Sequence, residues 1–185
     1  MRKVIFGINL SADGCCDHTR FSGGEDILEY FGLLLQNVDL VVYGRKTYEL
    51  MVPYWPDVAR NQSMTKAENK YALAFDAVDK LVFSRTLTTL TDKRSRVARS
   101  GLKDEIMKLK QGSGKNISIG GVDLPSQILK AGLVDEFHMV VHPVIVGKGR
   151  RLFEEAGLNE NYQLKLAETK ILRSGCVALR YVKKT

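Results

Sequence analysis

Three short segments of this sequence carry residue types that bind phosphate groups, and each follows a predicted strand. Gly44-Arg45-Lys46-Thr47 comes after the apolar run Leu40-Val41-Val42 and opens a helical stretch. The first N–H groups and the positive dipole end of a helix attract an anion, and Arg45 and Lys46 add full charges. The other two segments are Ser84-Arg85 and Gly120-Gly121. Together they fit a dinucleotide with a pyrophosphate and an additional ribose phosphate.

Each segment also has an ordinary structural interpretation. Gly44 suits a tight turn, Ser84-Arg85 suits a plain strand exit, and Gly120-Gly121 suits close packing between a strand and a helix. No Gly-x-Gly-x-x-Gly occurs in the chain, so the segments are not a Rossmann fingerprint. The prediction of a nucleotide site therefore depends on the three segments lying together.

The periodicity of apolar residues predicts an α/β protein formed by one domain over residues 1–185. Strands are predicted at residues 3–10, 38–43, 78–83, near 96–98, at 117–119 and at 134–142. Helices are predicted at residues 25–36, 45–51, 64–75, 101–110 and 123–131, with one or two helical turns at 150–155. Residues 53–56 and 143–149 are predicted loops. The segments 162–172 and 176–183 alternate polar and apolar residues around Ser174-Gly175, which predicts an antiparallel hairpin at the edge of a mostly parallel sheet.

Composition and charge narrow the classes of function. The 185 residues carry a formal charge of +7, which suits an anionic small molecule or nucleic acid. The basic stretch from Lys93 to Lys115 contains no aromatic residue that could stack on bases, so nucleic acid is not predicted. No apolar run spans a bilayer, and residues 1–7 are interpreted as a strand rather than a signal peptide, so we expect a cytoplasmic protein without a membrane partner.

The cysteines and histidines predict neither a disulfide framework nor a metal site. The cysteines are Cys15, Cys16 and Cys176, an odd number without Cys-x-x-Cys spacing. His138 and His142 share one face of a predicted strand, but no third ligand is visible. We expect reduced thiols and no metal.

At this point the sequence resembles a known superfamily. Val42-Tyr43-Gly44-Arg45-Lys46-Thr47-Tyr48-Glu49 resembles the nucleotide-binding motif of dihydrofolate reductases, and Val82-Phe83-Ser84-Arg85 and Ile119-Gly120-Gly121 resemble that family's second and third cofactor turns. Ser11-Ala12-Asp13-Gly14, Val134-Asp135-Glu136 and the stretch from His142 to Phe153 are similar to one branch, the reductase domain of bacterial riboflavin biosynthesis. The resemblance covers about residues 2–183.

The resemblance implies a dihydrofolate reductase-like three-layer fold, NADPH as hydride donor and a homodimer formed through the sheet and the C-terminal hairpin. By this resemblance Ser84 and Arg85 would contact the 2′-phosphate. The glycines of the third turn would let the backbone approach the pyrophosphate or the nicotinamide ribose. The implied cofactor residues are Gly44, Arg45, Lys46, Thr47, Ser84, Arg85, Gly120 and Gly121. The substrate would lie near Asp13 and the helix that begins around Asp26.

The substrate and the proton donor stay open at this level. Asp13, Asp26 or a bound water could deliver the proton, although Asp13 before Gly14 also suits a turn. The leading hypothesis is an NADPH-dependent reductase of a phosphorylated ribosylaminouracil. The alternatives are a reductase of dihydrofolate or another small heterocycle, and a nucleotide-binding protein without turnover. The Trp and Pro that are usual in the substrate loop of the folate reductases are missing near Asp13, which argues against folate.

Overall fold

The computed structural model describes residues 1–154, 156–158 and 161–184. The strands are β1 (Val4–Ser11), β2 (Val38–Gly44), β3 (Asp79–Phe83), β4 (Ser95–Val97), β5 (Asn116–Ile119), β6 (Glu136–His142), β7 (Leu164–Ile171) and β8 (Val177–Lys183). The helices are α1 (Glu25–Leu35), α2 (Arg45–Met51), α3 (Tyr54–Asn61), α4 (Lys66–Asp76), α5 (Leu102–Gln111) and α6 (Asp123–Lys130).

All eight strands form one sheet in the order β4-β3-β2-β5-β1-β6-β8-β7. Strands β4, β3, β2, β5, β1 and β6 are parallel to one another. Strand β8 is antiparallel to β6, and β7 is antiparallel to β8. The predicted α/β class with a mostly parallel sheet and an antiparallel C-terminal hairpin is confirmed. Because parallel strands alternate with crossover helices, both faces of the central sheet need apolar residues.

Two helical layers cover the two faces of the sheet. Helices α1 and α4 pack on the face that presents Val41, Tyr43 and Val82, whereas α5 and α6 pack on the face that presents Val42 and Leu81. The side chains alternate between these two layers because successive residues of a strand point to opposite faces. This arrangement is the three-layer architecture that the family resemblance implies.

Two local predictions were wrong. Residues 53–56 belong to a helix boundary, not a loop: Pro53 is the N-cap residue of α3 and Pro56 lies in its first turn. The first N–H groups of a helix have no intrahelical partner, so proline is tolerated there. The helix also buries Trp55 against Tyr71, with ring centroids 4.6 Å apart.

Residues 150–154 do not form the predicted helix: residues 152–154 form a turn, and Glu155 lies outside the described residues. Arg151 pairs with Cys15 in an isolated antiparallel bridge, which takes the backbone away from helical geometry. Phe153 has a φ of 62°, a left-handed conformation that interrupts a right-handed helix. Its ring packs against Phe6 with the centroids 5.6 Å apart. A tertiary contact therefore stabilises a backbone that the local sequence does not favour.

A buried polar network joins α1 to the antiparallel part of the sheet. His138 Nε2 lies 3.0 Å from Glu136 Oε1, and the Tyr30 hydroxyl lies 2.7 Å from His138 Nδ1. Arg180 on β8 contacts Glu136 at 3.4 Å and Glu168 on β7 at 3.1 Å. The hydrogen bond from His138 is the main cause that lowers the pKa of Glu136 to about 2.

This pKa predicts how the stability depends on acidity. A carboxyl group with a depressed folded-state pKa stabilises the fold fully above its usual pKa of 4.5, and this contribution is lost as the pH falls toward about 2. We expect Glu136→Gln to lower the free energy of unfolding by about 1–3 kcal/mol near neutral pH, because His138 and Arg180 lose a buried partner. The difference from wild type should shrink as the pH falls from 4.5 toward about 2.

Urea unfolding near neutral pH and near pH 3 measures this effect. Glu168→Gln is the matched control, because Glu168 also pairs with Arg180 but is mostly exposed. Its effect should stay within about 0.5 kcal/mol at both acidities. A Glu136→Gln effect of equal size at both acidities would contradict the assignment.

Candidate functional site

The topology creates a crevice between the carboxyl ends of β1 and β5. The chain leaves β1 through α1 and reaches β2 on one side, and it leaves β5 through α6 and reaches β6 on the other side. The two helices lie on opposite faces of the sheet, so they diverge from adjacent strands. Ligands of open α/β sheets bind in such a crevice, where the direction of the connections reverses. Asp13 lies on one side of it and Gly120-Gly121 on the other.

The structure brings two of the predicted cofactor turns into direct contact. A Cβ atom placed on Gly121 would lie 2.5 Å from Thr47 Oγ1, and one placed on Gly120 would lie 2.5 Å from Cε1 of the Tyr43 ring. Gly121 also has a φ of +90°, which L side chains rarely adopt. Both glycines are therefore required by packing between β5, β2 and the first turn of α2. Close packing between a strand and a helix, the ordinary structural interpretation of Gly120-Gly121, therefore accounts for both glycines without a cofactor.

Gly44 is different, because a Cβ atom placed there would meet nothing within 4 Å. The backbone at the start of α2 thus faces open space. Arg45 pairs with Glu49 one turn later, 3.0 Å apart, and Lys46 is exposed. The charge of Lys46 is among the causes that lower the pKa of Asp123 at the start of α6. The first turns of α2 and α6 are therefore close enough for the charges of Lys46 and Asp123 to interact.

Ser84 and Arg85 follow β3, two strands from β5. The Ser84 hydroxyl accepts hydrogen bonds from the N–H groups of Thr86 at 3.1 Å and Leu87 at 2.9 Å, so its oxygen shapes the turn. Arg85 is exposed and has no hydrogen bond or ion pair with a described residue. Its guanidinium remains available for an anion.

A second arginine, Arg99, lies beside this turn and was not among the predicted residues. Val82 pairs with Val97, and the Ala98 N–H donates to the Val82 carbonyl oxygen at 2.9 Å, so the chain leaves β4 next to Ser84. Arg99 is exposed and lines a groove of about 790 Å³ along β4. Only the pairing of β3 with β4 reveals this neighbourhood, since 13 residues of varied sequence lie between Arg85 and Arg99.

Asp13 holds a loop from the far end of the chain. Its carboxylate accepts hydrogen bonds from the Ser11 hydroxyl at 2.6 Å and from the N–H groups of Val146 at 3.1 Å and Gly147 at 3.0 Å. These bonds, the one from Ser11 first, hold the pKa of Asp13 well below its usual range. Arg151 donates to the Asp13 carbonyl oxygen as well. An ionised carboxylate with these partners serves as an anchor, and this environment disfavours the predicted role of Asp13 as proton donor.

The anchored loop, residues 144–151, borders the crevice and was missed as part of the site. Ala12 donates its N–H to the Val144 carbonyl oxygen at 2.8 Å, and Cys16 donates to that of Arg150 at 2.9 Å. The Arg150 side chain then crosses to Asp123 in the first turn of α6. That hydrogen bond is the main cause that lowers the pKa of Asp123. In the sequence this loop is marked by Arg150-Arg151 after Gly147 and Gly149, but no local pattern indicates that Arg150 contacts Asp123.

Asp26 lies in the first turn of α1, where it is buried. Burial alone would raise its pKa, but the N–H of Ser174, 2.7 Å from Oδ2, and the charge of Arg173 lower it overall. Asp26 is thus tied to the turn between β7 and β8, whereas Asp13 is tied to the loop after β6. The two predicted catalytic carboxylates are both held ionised by separate loops.

The described residues supply no metal centre and no membrane span. Among residues 1–154, 156–158 and 161–184, no group of three or more His, Cys, Asp or Glu side chains is arranged to hold a metal ion. Over the same residues, none of the helices has the length and apolar character needed to cross a bilayer. Cys15, Cys16 and Cys176 are free thiols.

The different surroundings of the glycines lead to a prediction. Gly120→Ala should lower the free energy of unfolding by about 1–3 kcal/mol, because the added methyl group overlaps the Tyr43 ring. Gly44→Ala places its methyl group in open space at a φ of −77° and should leave the stability within about 0.5 kcal/mol of wild type. Thermal and urea unfolding of both variants compare them directly. Equal destabilisation by the two substitutions would be inconsistent with this packing.

Comparison with known proteins places the chain in a family. It is 32% identical over 184 residues to an uncharacterized protein, YyaP, of Bacillus subtilis (strain 168), with 97% of this chain and 94% of that one covered. YwjB of the same organism, also uncharacterized, is 30% identical over 193 residues, with 98% of each chain covered.

Solved structures share the fold. A putative riboflavin biosynthesis protein from Shewanella sp. PV-4 matches with a TM-score of 0.74 at 19% identity over 99% of both chains. A pyrimidine reductase-like protein from Corynebacterium diphtheriae matches at 0.65 and 17% identity, with 100% of this chain and 92% of that one covered. RibD of Acinetobacter baumannii matches at 0.67 and 17% identity, and the chain spans 59% of its length. The profile of the RibD C-terminal domain matches residues 2–179, and the chain therefore belongs to the RibD C-terminal domain family.

Proposed function

We propose that this protein is an NADPH-dependent reductase of a small heterocycle, and specifically a 5-amino-6-(5-phosphoribosylamino)uracil reductase-like enzyme of the cytoplasm. The observation that carries the proposal is the crevice between β1 and β5, at which the start of α2 meets Gly120-Gly121. Membership of the RibD C-terminal domain family supports a reductase. The names of the Shewanella and Corynebacterium proteins, which share the fold, support the substrate class.

The residues around the crevice fit a phosphorylated dinucleotide. The open space at Gly44 admits a ligand against the backbone, and Lys46 stands exposed beside it. Arg85 and Arg99 are exposed cations at the carboxyl ends of adjacent strands. Guanidinium groups bind phosphate oxygens in a bidentate manner, which suits a ribose 2′-phosphate. We assign the pyrophosphate to Gly44–Thr47 with Gly120-Gly121, and the 2′-phosphate to Ser84, Arg85 and Arg99.

The cofactor would supply a hydride to the acceptor carbon, and the adjacent heteroatom of the substrate would take up a proton. The chain contributes positioning and exclusion of water, which together account for much of the rate in such reactions. The loop held by Asp13 lies beside the crevice, at the carboxyl ends of β1 and β6. Because Asp13 and Asp26 both have lowered pKa values, we propose that a water molecule oriented by one of them delivers the proton.

Arg85 provides the test of the cofactor. We expect NADPH to bind more tightly than NADH, and Arg85→Ala to weaken NADPH by about 10- to 100-fold, the value of a charge-assisted hydrogen bond, while NADH changes little. Isothermal titration calorimetry measures both dinucleotides. Arg94→Ala is the matched control, since it removes the same charge at the opposite end of the sheet. Equal affinities for NADPH and NADH, or an unchanged preference in Arg85→Ala, would refute this assignment.

Turnover separates the enzyme from a binding protein. We expect oxidation of NADPH, followed by its absorbance, with the phosphorylated ribosylaminouracil and not with dihydrofolate. A nucleotide-binding protein without turnover is the second candidate, because both candidate acids are held ionised. Tight binding of NADPH without oxidation in the presence of either substrate would favour that candidate.

We also propose that the protein is a homodimer that pairs through the C-terminal hairpin. Ile171 is 78% exposed and Leu166 is 50% exposed on β7. Ile171 pairs with Val177, which pairs with Val141, so one face presents a continuous apolar row. Large exposed apolar patches mark interaction surfaces.

Light scattering at micromolar concentration tests the dimer. We expect wild type to have twice the mass of the 20.7 kDa chain and Ile171→Lys to dissociate, because an uncompensated charge would be buried in the interface. Lys170→Ala, which changes the opposite face of the same strand, should stay dimeric. A monomeric wild type would rule out the proposal.

A further inference from the structure

Strand β4 forms one edge of the sheet, and part of its backbone faces outward. Two hydrogen bonds show which groups face inward: the Ala98 N–H donates to the Val82 carbonyl oxygen at 2.9 Å, and the Arg94 carbonyl oxygen accepts from β3 at 2.8 Å. Because the backbone groups of successive residues alternate between the two sides of a strand, Ser95 and Val97 face outward. In the described part of the chain, nothing bonds the Val97 N–H, the Val97 carbonyl oxygen or the Ser95 carbonyl oxygen. This edge can therefore accept a further strand.

The groove of 790 Å³ along β4 has its walls on both faces of this edge. One wall comes from Thr88 and Leu90, in the loop that follows β3, and the other comes from Glu105 and Lys108 on α5. Leu90 packs on the face of the sheet that α4 covers, whereas α5 covers the opposite face, so the groove straddles the edge strand. Val97 lies between the walls. An extended chain about 4.8 Å from β4, the usual spacing of paired strands, would lie along the groove.

The residues that line the groove include the cations Arg96, Arg99 and Lys108, together with the carboxylate of Glu105. The Glu105 carboxylate accepts hydrogen bonds from the Ser100 hydroxyl and from Arg96, the latter at 3.2 Å. The bond from Ser100 is the main cause that lowers the pKa of Glu105. The Glu105 side chain is 12% exposed, whereas that of Arg96 is 53% exposed. The groove therefore presents mainly positive charge to a partner, and acidic side chains complement it.

We propose that β4 binds an extended acidic segment of a partner protein, which adds to this edge as an antiparallel strand. One residue of the segment exchanges two hydrogen bonds with Val97, and the residue two positions further along donates its N–H to the Ser95 carbonyl oxygen. The residue between them is acidic and lies opposite Arg96, on the face of the strand that α5 covers, where Lys108 adds a second charge. The residues on either side of it face Leu90 and are apolar.

Charge and composition favour this partner over two others. Antiparallel pairing of β4 with the β4 strand of a second copy would bring the cations Arg96 and Lys108 of both copies together, and like charges across a pair of strands repel. A single-stranded nucleic acid needs aromatic side chains on which its bases stack, and the chain has none between Ser84 and Lys115.

The probe is the peptide acetyl-Glu-Val-Glu-Val-Glu-amide, compared with acetyl-Lys-Val-Lys-Val-Lys-amide, which has the same length and apolar residues and the opposite charge. Calorimetric titrations are made at low salt and without a dinucleotide. Wild type should bind the acidic peptide at least about tenfold more tightly than the basic one, since each carboxylate meets a cation of the groove. Added salt should weaken the binding, because the charges of the groove are exposed.

Two variants test the residues. Val97→Pro removes the outward N–H but leaves the hydrogen bonds between β4 and β3 in place, and proline is tolerated where an edge strand faces outward. Arg96→Ala removes the charge opposite the acidic residue. In each, affinity for the acidic peptide should fall about five- to tenfold. The matched controls are Val97→Thr, which keeps the N–H, and Arg60→Ala, which removes an exposed arginine paired with Asp57 on α3. Unchanged near-ultraviolet circular dichroism confirms that the variants fold.

Amide hydrogen exchange, followed by nuclear magnetic resonance, separates strand addition from simple attraction of charges. The Val97 N–H is unpaired within the described chain and should exchange rapidly in the free protein. Saturation with the acidic peptide should slow its exchange at least about tenfold. The Ala98 N–H is the internal control, because it is already bonded to the Val82 carbonyl oxygen and should change little.

Several results would overturn the inference. They are equal affinity for the two peptides, unchanged affinity in the folded Val97→Pro and Arg96→Ala variants, and peptide binding that leaves the exchange of Val97 unchanged. Slow exchange of Val97 that depends on protein concentration without peptide would indicate pairing of two copies. Tighter binding of an oligouridylate of equal charge would indicate a nucleic acid, and either result also overturns the inference. Because no dinucleotide is present, a failure to bind NADPH counts against the proposed function alone.

Discussion

The site depends on one constraint, the handedness of the connections between parallel strands. A right-handed crossover from β1 to β2 places α1 on one face, and a right-handed crossover from β5 to β6 in the opposite direction places α6 on the other. Helices α1 and α6 therefore separate above β1 and β5, and a gap remains between them. The crevice is thus a consequence of strand order, and the residues at the strand ends determine what it binds.

Close packing and charge then specify the crevice. Gly121 and Thr47 are in contact, so the first turn of α2 is fixed against the end of β5. Asp123, a negative charge at the start of α6, would repel a phosphate, but Arg150 and Lys46 offset its charge. Asp13 holds the loop that carries Arg150 and Arg151. A single carboxylate near the beginning of the chain therefore positions the basic residues contributed by a loop more than 130 residues later.

The elements of the fold could be predicted because their signals are local. Apolar periodicity located most strands and helices to within a few residues, and glycine or arginine after an apolar run located the turns at the strand ends. The helix that begins at Tyr54 was missed because Pro53 and Pro56 suggest a loop unless they fall at a helix start. The contacts of Arg150 with Asp123 and of His142 with Asn9 join distant segments. Such pairs depend on strand order and register, which no local pattern encodes.

The same limit applies to the proton donor, for which position in the sequence left Asp13, Asp26 and a bound water as alternatives. A carboxyl group donates a proton near neutral pH only when burial or a like charge raises its pKa. Here Asp13 accepts bonds from Ser11 and two backbone N–H groups, and Asp26 accepts one from Ser174. These bonds favour the ionised form of both groups. Neither carboxyl group is therefore suited to release a proton near neutral pH, which is the physical reason for proposing water as the proton source.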